Sequence, residues 1–335
     1  MNLFSTGSER KRPQEIVGLD FSSTGVKAVR LKRSDDQFTL AAMDIFPPGS
    51  DPTAGVARPP LGKQFTTNYV ALTFSAPSCA VRVVAHTGTH ATEIEKQVRD
   101  QIGLDTTFRL SNVPSGQPVR NKNENRVLAV GAPDKEVQEI LDLFKEGAPA
   151  PFSLEVSGLA SLNAALDGPV AKNPDAPACL LDCGSRTSMM VFVNKGAIIL
   201  ARKLDVGGDA VVEHVQKNLG VEREMAQNIM SEGAIDISQA VREVIDPFLR
   251  QMMISRDFVE RQENCRVTTA FITGGMSMSA YWINEIRKAT GIGVQMWDPL
   301  EGMNVASGAI QEKWAGQQSR FTAAIGAAKG ALLTP

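Results

Sequence analysis

The sequence has few cysteines and no paired-cysteine motif. Four are present, and none belongs to a CxxC pair: Cys79, Cys179, Cys183 and Cys265. Unpaired cysteines tend to be buried, so we expect a structural role for them. This usage fits a reducing cytoplasm best.

Long apolar runs are also lacking. No segment approaches the roughly 18 apolar residues of a membrane span, and the start, MNLFSTGSERKRPQ, lacks the apolar core of a secretory signal. Near the other end, Gly326 and Gly330 have the GxxxG spacing of paired membrane helices, but their segment is short and carries Lys329. We therefore predict close helix packing inside the fold for these glycines.

Net charge is nearly absent. Lysine and arginine number 35 against 37 acidic residues, which leaves a charge of −2. The chain has no excess of positive charge to bind the phosphate backbone of a nucleic acid, so we do not expect nucleic-acid binding. The hydrophobic fraction of 43% is sufficient for buried hydrophobic cores, and the length of 335 residues fits two lobes.

One pattern occurs twice in the chain. The segment GLDFSSTGVKAVRL aligns with LLDCGSRTSMMVFV, with Asp20 on Asp182. In each segment an apolar strand ends in aspartate, and a Ser/Gly/Thr turn then leads into a second strand. Such turns offer backbone N–H groups and hydroxyls to an anion. Two carboxylates, together with phosphate oxygens and waters, are the usual ligands of Mg²⁺. One copy alone would be ordinary hairpin chemistry, but two copies indicate a phosphate site.

A third motif follows in the second half. Thr273-Gly274-Gly275 comes directly after the apolar strand AFIT. Glycines there allow a positive φ, or close approach of the backbone to a flat ligand. The three motifs in this order resemble the layout of the actin, sugar-kinase and Hsp70 superfamily.

Over nearly its full length the chain resembles the PilM family of type IV pilus assembly proteins. The resemblance rests on VGLDFSSTGVKAVRL, LLDCGSRTSMMVFVNKGAIILARKLDVGGDAVV, FITGGMSMSAYWINEIRKATGIGVQMWDPLEG and RFTAAIGAAKG. It implies an α/β fold: an actin-like, ribonuclease H-like duplicated two-lobe fold with an inserted small α+β subdomain. PilM and the division protein FtsA place such a subdomain early in the first half.

The expected domain division follows from this resemblance and from the strand and helix patterns. The first lobe core takes 14–66 with 146–170 and 318–333, and the inserted subdomain takes 67–145. The second lobe core takes 171–207 with 265–317, and a helical subdomain takes 208–264. Within the inserted subdomain we predict strands at 68–74, 80–85 and 126–131, with helices beginning near Thr92 and Asp134.

The resemblance also implies a site for ATP or ADP with Mg²⁺. Asp20 and Asp182 would act on the metal, largely through water, and Gly274, Gly275 and Met276 would border the adenosine. Lys27 would reach the phosphates as a point charge, although a solvated strand lysine is the alternative. The remaining nucleotide contacts would come from the two turns: Ser22, Ser23, Thr24, Gly184, Ser185, Arg186 and Thr187.

Two positions depart from the family pattern. Ser22 stands where glycine is usual, and Arg186 replaces a small residue, where it either clamps a phosphate or fills the site. No general base is identified; Glu155 is a candidate by position, with surface charge as the alternative. Binding is therefore better supported than hydrolysis, and we expect ATPase turnover to be slow or absent.

The resemblance implies a function in assembly. The expected protein is a cytoplasmic scaffold of a pilus or related secretion machine, held at the inner membrane by the N-terminal cytoplasmic tail of a single-span, PilN-like partner. Self-association is left open. The alternatives are a kinase-like phosphotransferase, for which no catalytic aspartate is apparent, and an FtsA-like division protein, for which no basic amphipathic C-terminal stretch is apparent.

Overall fold

A computed structural model describes residues 12–48, 57–116, 125–232 and 235–333 of the chain. The strands in these residues are β1 (Glu15–Ser22), β2 (Gly25–Ser34), β3 (Gln37–Phe46), β4 (Tyr69–Phe74), β5 (Ala80–His86), β6 (Phe108–Pro114), β7 (Asn125–Pro133), β8 (Ala150–Val156), β9 (Ala178–Cys183), β10 (Ser188–Asn194), β11 (Ala197–Leu204), β12 (Thr269–Thr273), β13 (Gly293–Met296) and β14 (Asn304–Val305). The α-helices are α1 (Ala91–Ile102), α2 (Asp134–Asp142), α3 (Ser157–Ala165), α4 (Gly208–Leu219), α5 (Arg223–Glu232), α6 (Ser238–Glu263), α7 (Ala280–Thr290) and α8 (Thr322–Leu333).

Two sheets repeat the same topology. The first has the order β14-β3-β2-β1-β4-β8, and the second has the order β11-β10-β9-β12-β13. In both, the first three strands along the chain are antiparallel, and the next two pair in parallel beside the first of them. The motif seen twice in the sequence is therefore the start of each half of a duplicated two-lobe fold, as predicted.

Helix α8 packs against its neighbours with almost no side chain between them. A Cβ added to Gly326 would lie 1.8 Å from the carbonyl oxygen of Ala160 in α3. A Cβ added to Gly18 of β1 would lie 2.1 Å from the carbonyl oxygen of Ala324 in α8. Small residues thus let α8 contact α3 and the first sheet backbone to backbone, which confirms the packing predicted for this glycine segment.

No helix in the described part of the chain is long and apolar enough to cross a membrane.

The inserted subdomain is a three-stranded antiparallel sheet with a helix on each face. Its strand order is β5-β7-β6. Val127 and Ala129 of β7 pack with Val98 of α1. The alternate residues Leu128 and Val130 share a cluster with α2, as strand alternation requires.

The strand predicted at 68–74 does not belong to this subdomain. It is β4 of the first sheet, parallel to and between β1 and β8. Val70, Ala71 and Leu72 are all fully buried. A continuous apolar run is typical of a parallel strand covered on both faces, so its assignment to the inserted module was wrong.

Three strands were not predicted: β6, β8 and the two-residue β14. In β6 (FRLSNVP) apolar and polar residues alternate only from Phe108 to Ser111, and every residue is at least partly exposed. In β8 (APFSLEV) apolar and polar residues alternate from Phe152 to Val156, directly after a proline, and the polar residues Ser153 and Glu155 are buried. In β6 and β8 the local signal spans only four or five residues, and pairing with the sheet neighbours completes both strands.

The close approach of α3 and α8 predicts a difference between two alanine substitutions. In Gly326→Ala the new methyl group would meet the backbone of Ala160, so we expect the free energy of unfolding to fall by about 1–3 kcal/mol. In Gly330→Ala the nearest atom is the movable Nδ2 of Asn163, at 3.1 Å. That variant should be neutral or slightly stabilised, because alanine favours helix over glycine by about 1 kcal/mol.

Urea denaturation of both variants measures this difference. Equal effects at the two positions would contradict the backbone-to-backbone packing.

Candidate functional site

The two Ser/Gly/Thr turns meet each other in space. Ser23, in the turn between β1 and β2, has its Oγ 2.7 Å from Oγ of Ser185, in the turn between β9 and β10, and the two residues are 162 apart in the chain. Asp20 and Asp182 have the same separation, so residues that the repeat equates come together at the contact between the lobes. The hydroxyls of Ser75 and Thr187 form a second, short hydrogen bond across it.

Asp20 is held by neutral and charged donors. Its Oδ1 accepts hydrogen bonds from Thr73 Oγ1 at 2.9 Å and from Ser157 Oγ at 2.6 Å. Its Oδ2 lies 3.7 Å from Nζ of Lys27. Since Asp20 is only 7% exposed, these partners replace the hydrogen bonds that water would otherwise make to its carboxylate.

Lys27 is buried, so its interpretation as a solvated strand lysine was wrong. The side chain is on β2, and the residue is 8% exposed. Its ammonium group donates to Ser22 Oγ and, at 3.3 Å, to Thr24 Oγ1. Burial lowers its pKa, and the charge of Asp20 opposes that shift. A buried ammonium beneath a hydroxyl-rich turn is suited to an anion placed above it.

Asp182 accepts a hydrogen bond from the same helix as Asp20. Ser161 Oγ donates to Asp182 Oδ2 at 2.7 Å, whereas Ser157 contacts Asp20. The two serines are four residues apart, so both project from one face of α3. Burial raises the pKa of Asp182 to about 6, with a smaller contribution from the charge of Asp20.

The glycine pair after β12 lies against Asp182. Gly274 has φ of +86°, and an added Cβ would be 2.5 Å from both Asp182 Oδ1 and the Cys183 carbonyl oxygen. Only glycine fits such a position. At Gly275 an added Cβ would meet nothing within 4 Å, so there is open space beside it. Met276, in contrast, is 6% exposed and packs against Gly208.

Arg186 does not fill the site. Its side chain is 65% exposed, with Nε 3.8 Å from Asp209 Oδ2. Within the second turn, the N–H of Gly184 donates to the Thr187 carbonyl oxygen at 3.1 Å. The structure thus brings the predicted residues of the two turns together, while Arg186 lies at their rim.

Sequence reasoning missed Asp209, which links both turns to α4. Its Oδ2 accepts a hydrogen bond from Ser23 at 2.8 Å, and its Oδ1 accepts one from Arg223 at 2.6 Å. Its backbone N–H donates to the carbonyl oxygen of Ser185 at 2.8 Å. The signal was present, because Gly207-Gly208-Asp209 after a strand is typical of a tight turn into a helix.

Glu155 is not a surface charge, and that interpretation was wrong. It is 4% exposed, in β8, and its Oε2 accepts a hydrogen bond from Asn163 at 3.1 Å. Burial raises its pKa. Ser157 and Ser161 were missed as well, although their spacing on one helix face could have pointed to them.

The repeated sheets and the paired turns define this chain as a protein with the actin-like ATPase fold. Residues 66–330 match the family described as type IV pilus assembly protein PilM. The chain therefore belongs to the PilM family.

A solved structure agrees with this fold. A PilM–PilN type IV pilus biogenesis complex contains a chain with a TM-score of 0.81 and 19% identity, covering 97% of this chain and 100% of that one. A non-polymerisable ParM mutant has a TM-score of 0.49 and 12% identity, covering 94% of this chain and 98% of its own. The archaeal actin homologue Ta0583 has a TM-score of 0.46 and 11% identity, covering 95% and 98%. No curated protein sequence matches the chain significantly.

The raised pKa of Asp182 predicts how stability depends on pH. Its ordinary value is 3.8 and its folded value about 6, so between these the folded state binds more protons than the unfolded state. Stability therefore falls as pH rises through this window, and the cost is fully present above about pH 6. Asp182→Asn, which carries no charge, should raise the free energy of unfolding by about 1–3 kcal/mol at pH 7.5 and by much less near pH 4.5.

Urea denaturation at the two pH values tests this, with Asp175→Asn at an exposed position as the matched control. A gain for Asp182→Asn that is the same at both pH values would refute the assignment.

Proposed function

We propose that the protein is a nucleotide-binding scaffold of a type IV pilus or related secretion-type machine. In this proposal it works in the cytoplasm and is held at the inner membrane by the N-terminal tail of a single-span partner. The observation that carries the proposal is the meeting of the two turns over the buried Asp20 and Lys27 and the half-buried Asp182.

The chemistry of these residues fits a nucleoside phosphate. The turns offer backbone N–H groups and the hydroxyls of Ser22, Ser23, Thr24, Ser185 and Thr187, and Lys27 supplies the buried cation. Gly274 and Gly275 leave a side-chain-free surface beside open space, where a flat base can approach the backbone. ATP or ADP would therefore be held with its phosphates at the turns and its adenosine near the glycine pair.

Phosphate binding should separate the turns. Ser23 now contacts Ser185 and Asp209 directly, and a phosphate group would take over the hydroxyls that these contacts occupy. In this proposal the nucleotide replaces hydrogen bonds between the lobes with hydrogen bonds to itself, and so sets the relative position of the lobes.

A metal ion would bind together with the nucleotide. In the described residues no group of three or more His, Cys, Asp or Glu side chains is arranged around a possible ion. Asp20 and Asp182 are only two carboxylates, whereas Mg²⁺ takes six oxygen ligands and retains waters. The phosphates would supply the missing ligands, and Mg²⁺ when bound would neutralise their charge.

Calorimetry tests the nucleotide site. Titrating Mg-ATP or Mg-ADP into nucleotide-free protein should give saturable heat, and Asp182→Ala should weaken binding at least tenfold, because a carboxylate that holds the metal through water is lost. Asp175→Ala, at an exposed loop position, is the matched control. Absence of heat at millimolar Mg-ATP for the unaltered protein would refute the nucleotide assignment.

Turnover should be slow. Glu155, the one base suggested by position, is buried with its carboxylate against Asn163 and close to Gly330. We therefore expect a phosphate-release rate well below the roughly 1–100 s⁻¹ of kinases. Steady turnover near 1 s⁻¹ that Asp20→Ala abolishes would show instead that the protein is an enzyme.

The inserted subdomain, with the neighbouring face of the first lobe, is the proposed docking region for the membrane partner. With β4 placed in the first sheet, the sheet of the inserted subdomain has two edge strands, β5 and β6. Strand β5 lies against β11, so within the described residues β6 is the edge left open to a peptide. A free strand edge can bind an extended peptide through main-chain hydrogen bonds. The similar solved chain comes from a PilM–PilN complex, which supports a PilN-like partner.

Hydrogen–deuterium exchange can locate the docking site in the full chain. The probe is a peptide with the N-terminal sequence of the single-span protein encoded beside this one. Because the free peptide is disordered, we expect a roughly micromolar Kd, about −8 kcal/mol, with protection in β6 and the first lobe. Val113→Asp, at a β6 position 37% exposed, should weaken binding, and Met225→Asp, 52% exposed on α5, should not. Protection confined to the second lobe would place the docking site elsewhere.

A further inference from the structure

A groove runs between the inserted subdomain and the second lobe. It has a volume of about 300 Å³ and is bounded by β5, the start of β7, β11 and α6. In their sheets β5 pairs only with β7, and β11 pairs only with β10. The groove therefore follows a seam between two edge strands, away from the turns that form the nucleotide site.

One face of α6 forms the wall of this groove. Phe258 and Gln262 line it, and Ile254 and Gln251 continue the same face toward the helix start. Ile254 is 56% exposed and Phe258 is 50% exposed. Two large apolar side chains one turn apart extend the apolar surface beyond the groove, which favours a chain segment over a compact small molecule.

Arginines surround this apolar centre. Arg202 Nη1 donates to Gln251 Oε1 at 2.8 Å, near one end of the helical face. Arg126 lies near the other end, where its Nη1 is 4.0 Å from Oε1 of the fully buried Glu263. Arg82 is exposed in the groove wall, and its guanidinium group makes no hydrogen bond or ion pair with the described residues.

The charge of the groove is consequently positive. Three guanidinium groups line it, and no carboxylate is among its lining residues. Glu263, beneath the surface, offsets one of them. Guanidinium groups bind carboxylates in a two-pronged geometry, and a positive patch selects a negative partner.

We propose that this groove docks an extended acidic segment of a partner protein, with apolar side chains at its centre. The apolar side chains would pack on Phe258 and Ile254, and the flanking carboxylates would pair with Arg82 and Arg202. An occupant here would bridge the inserted subdomain and the second lobe. It would leave the β6 edge free, so the surface is separate from the one proposed for the membrane partner.

Peptide selection on the full-length protein tests the proposal. A displayed library of random peptides is selected, and enriched sequences are resynthesised and titrated by fluorescence anisotropy. We expect enrichment of aspartate and glutamate around apolar residues, with roughly micromolar Kd and weaker binding at high salt. Phe258→Asp and Arg82→Glu should each raise the Kd at least tenfold.

Two controls match these variants in chemistry. Met225→Asp changes an apolar side chain that is 52% exposed elsewhere, and Lys135→Glu reverses the charge of a side chain that is 88% exposed on α2. Neither should alter the Kd. A peptide whose flanking carboxylates are changed to lysine should bind Arg82→Glu better than the original peptide does.

Three outcomes would overturn the proposal. The first is selected peptides that are not acidic, or that bind the groove variants and the unaltered protein equally well. The second is a protein that dimerises in sedimentation and becomes monomeric as Phe258→Asp, because a second copy would then cover the groove. The third is mutual displacement of a selected peptide and the membrane partner's N-terminal peptide, because the two would then share one site.

Discussion

The lobes of this protein are joined by a helix that holds two carboxylates. Ser157 and Ser161 project from one face of α3 and donate to Asp20 of the first sheet and Asp182 of the second. The same helix presses Ala160 against Gly326 of α8, with no room for a methyl group between them. Since α3 and α8 cannot come closer, the two serines that hold the aspartates are positioned by helix packing.

This packing removes charged side chains of the site from water. Asp20 and Lys27 are buried and Asp182 is half-buried, so all three depend on partners within the protein. Burial raises the pKa of Asp182 to about 6 and lowers the pKa of Lys27, which moves both groups toward their neutral forms. Such a cluster costs stability unless a ligand or a metal uses its charges. A buried charge cluster at the contact between two lobes is therefore a reason to look for a ligand there.

The inserted subdomain is attached to more than the first lobe. The N–H of Ile198 in β11 donates to the Ser115 carbonyl oxygen at 2.6 Å, and Lys203 Nζ donates to the Pro77 carbonyl oxygen at 2.8 Å. Contacts to the second lobe thus lie at both ends of the seam between β5 and β11. Any change in the relative position of the lobes must strain or break these contacts, which links the proposed nucleotide site to the surfaces proposed for partners.

By itself the sequence determined the duplicated architecture and the residues at its centre. The repeat around Asp20 and Asp182 predicted two related strand–turn–strand units, and the family resemblance extended them to a duplicated fold with a site between its halves. Such features can be predicted because they are local: an apolar strand, an acidic residue and a turn lie within a few positions of one another.

The tertiary structure alone decided which sheet β4 joins, that Lys27 and Glu155 are buried, and that Asp209, Ser157 and Ser161 contact the site. The physical reason is the same in each case. A strand's partner, a charge's exposure and a hydroxyl's acceptor depend on residues far away in the chain, so only the packing of α3, α8 and the two sheets could specify them.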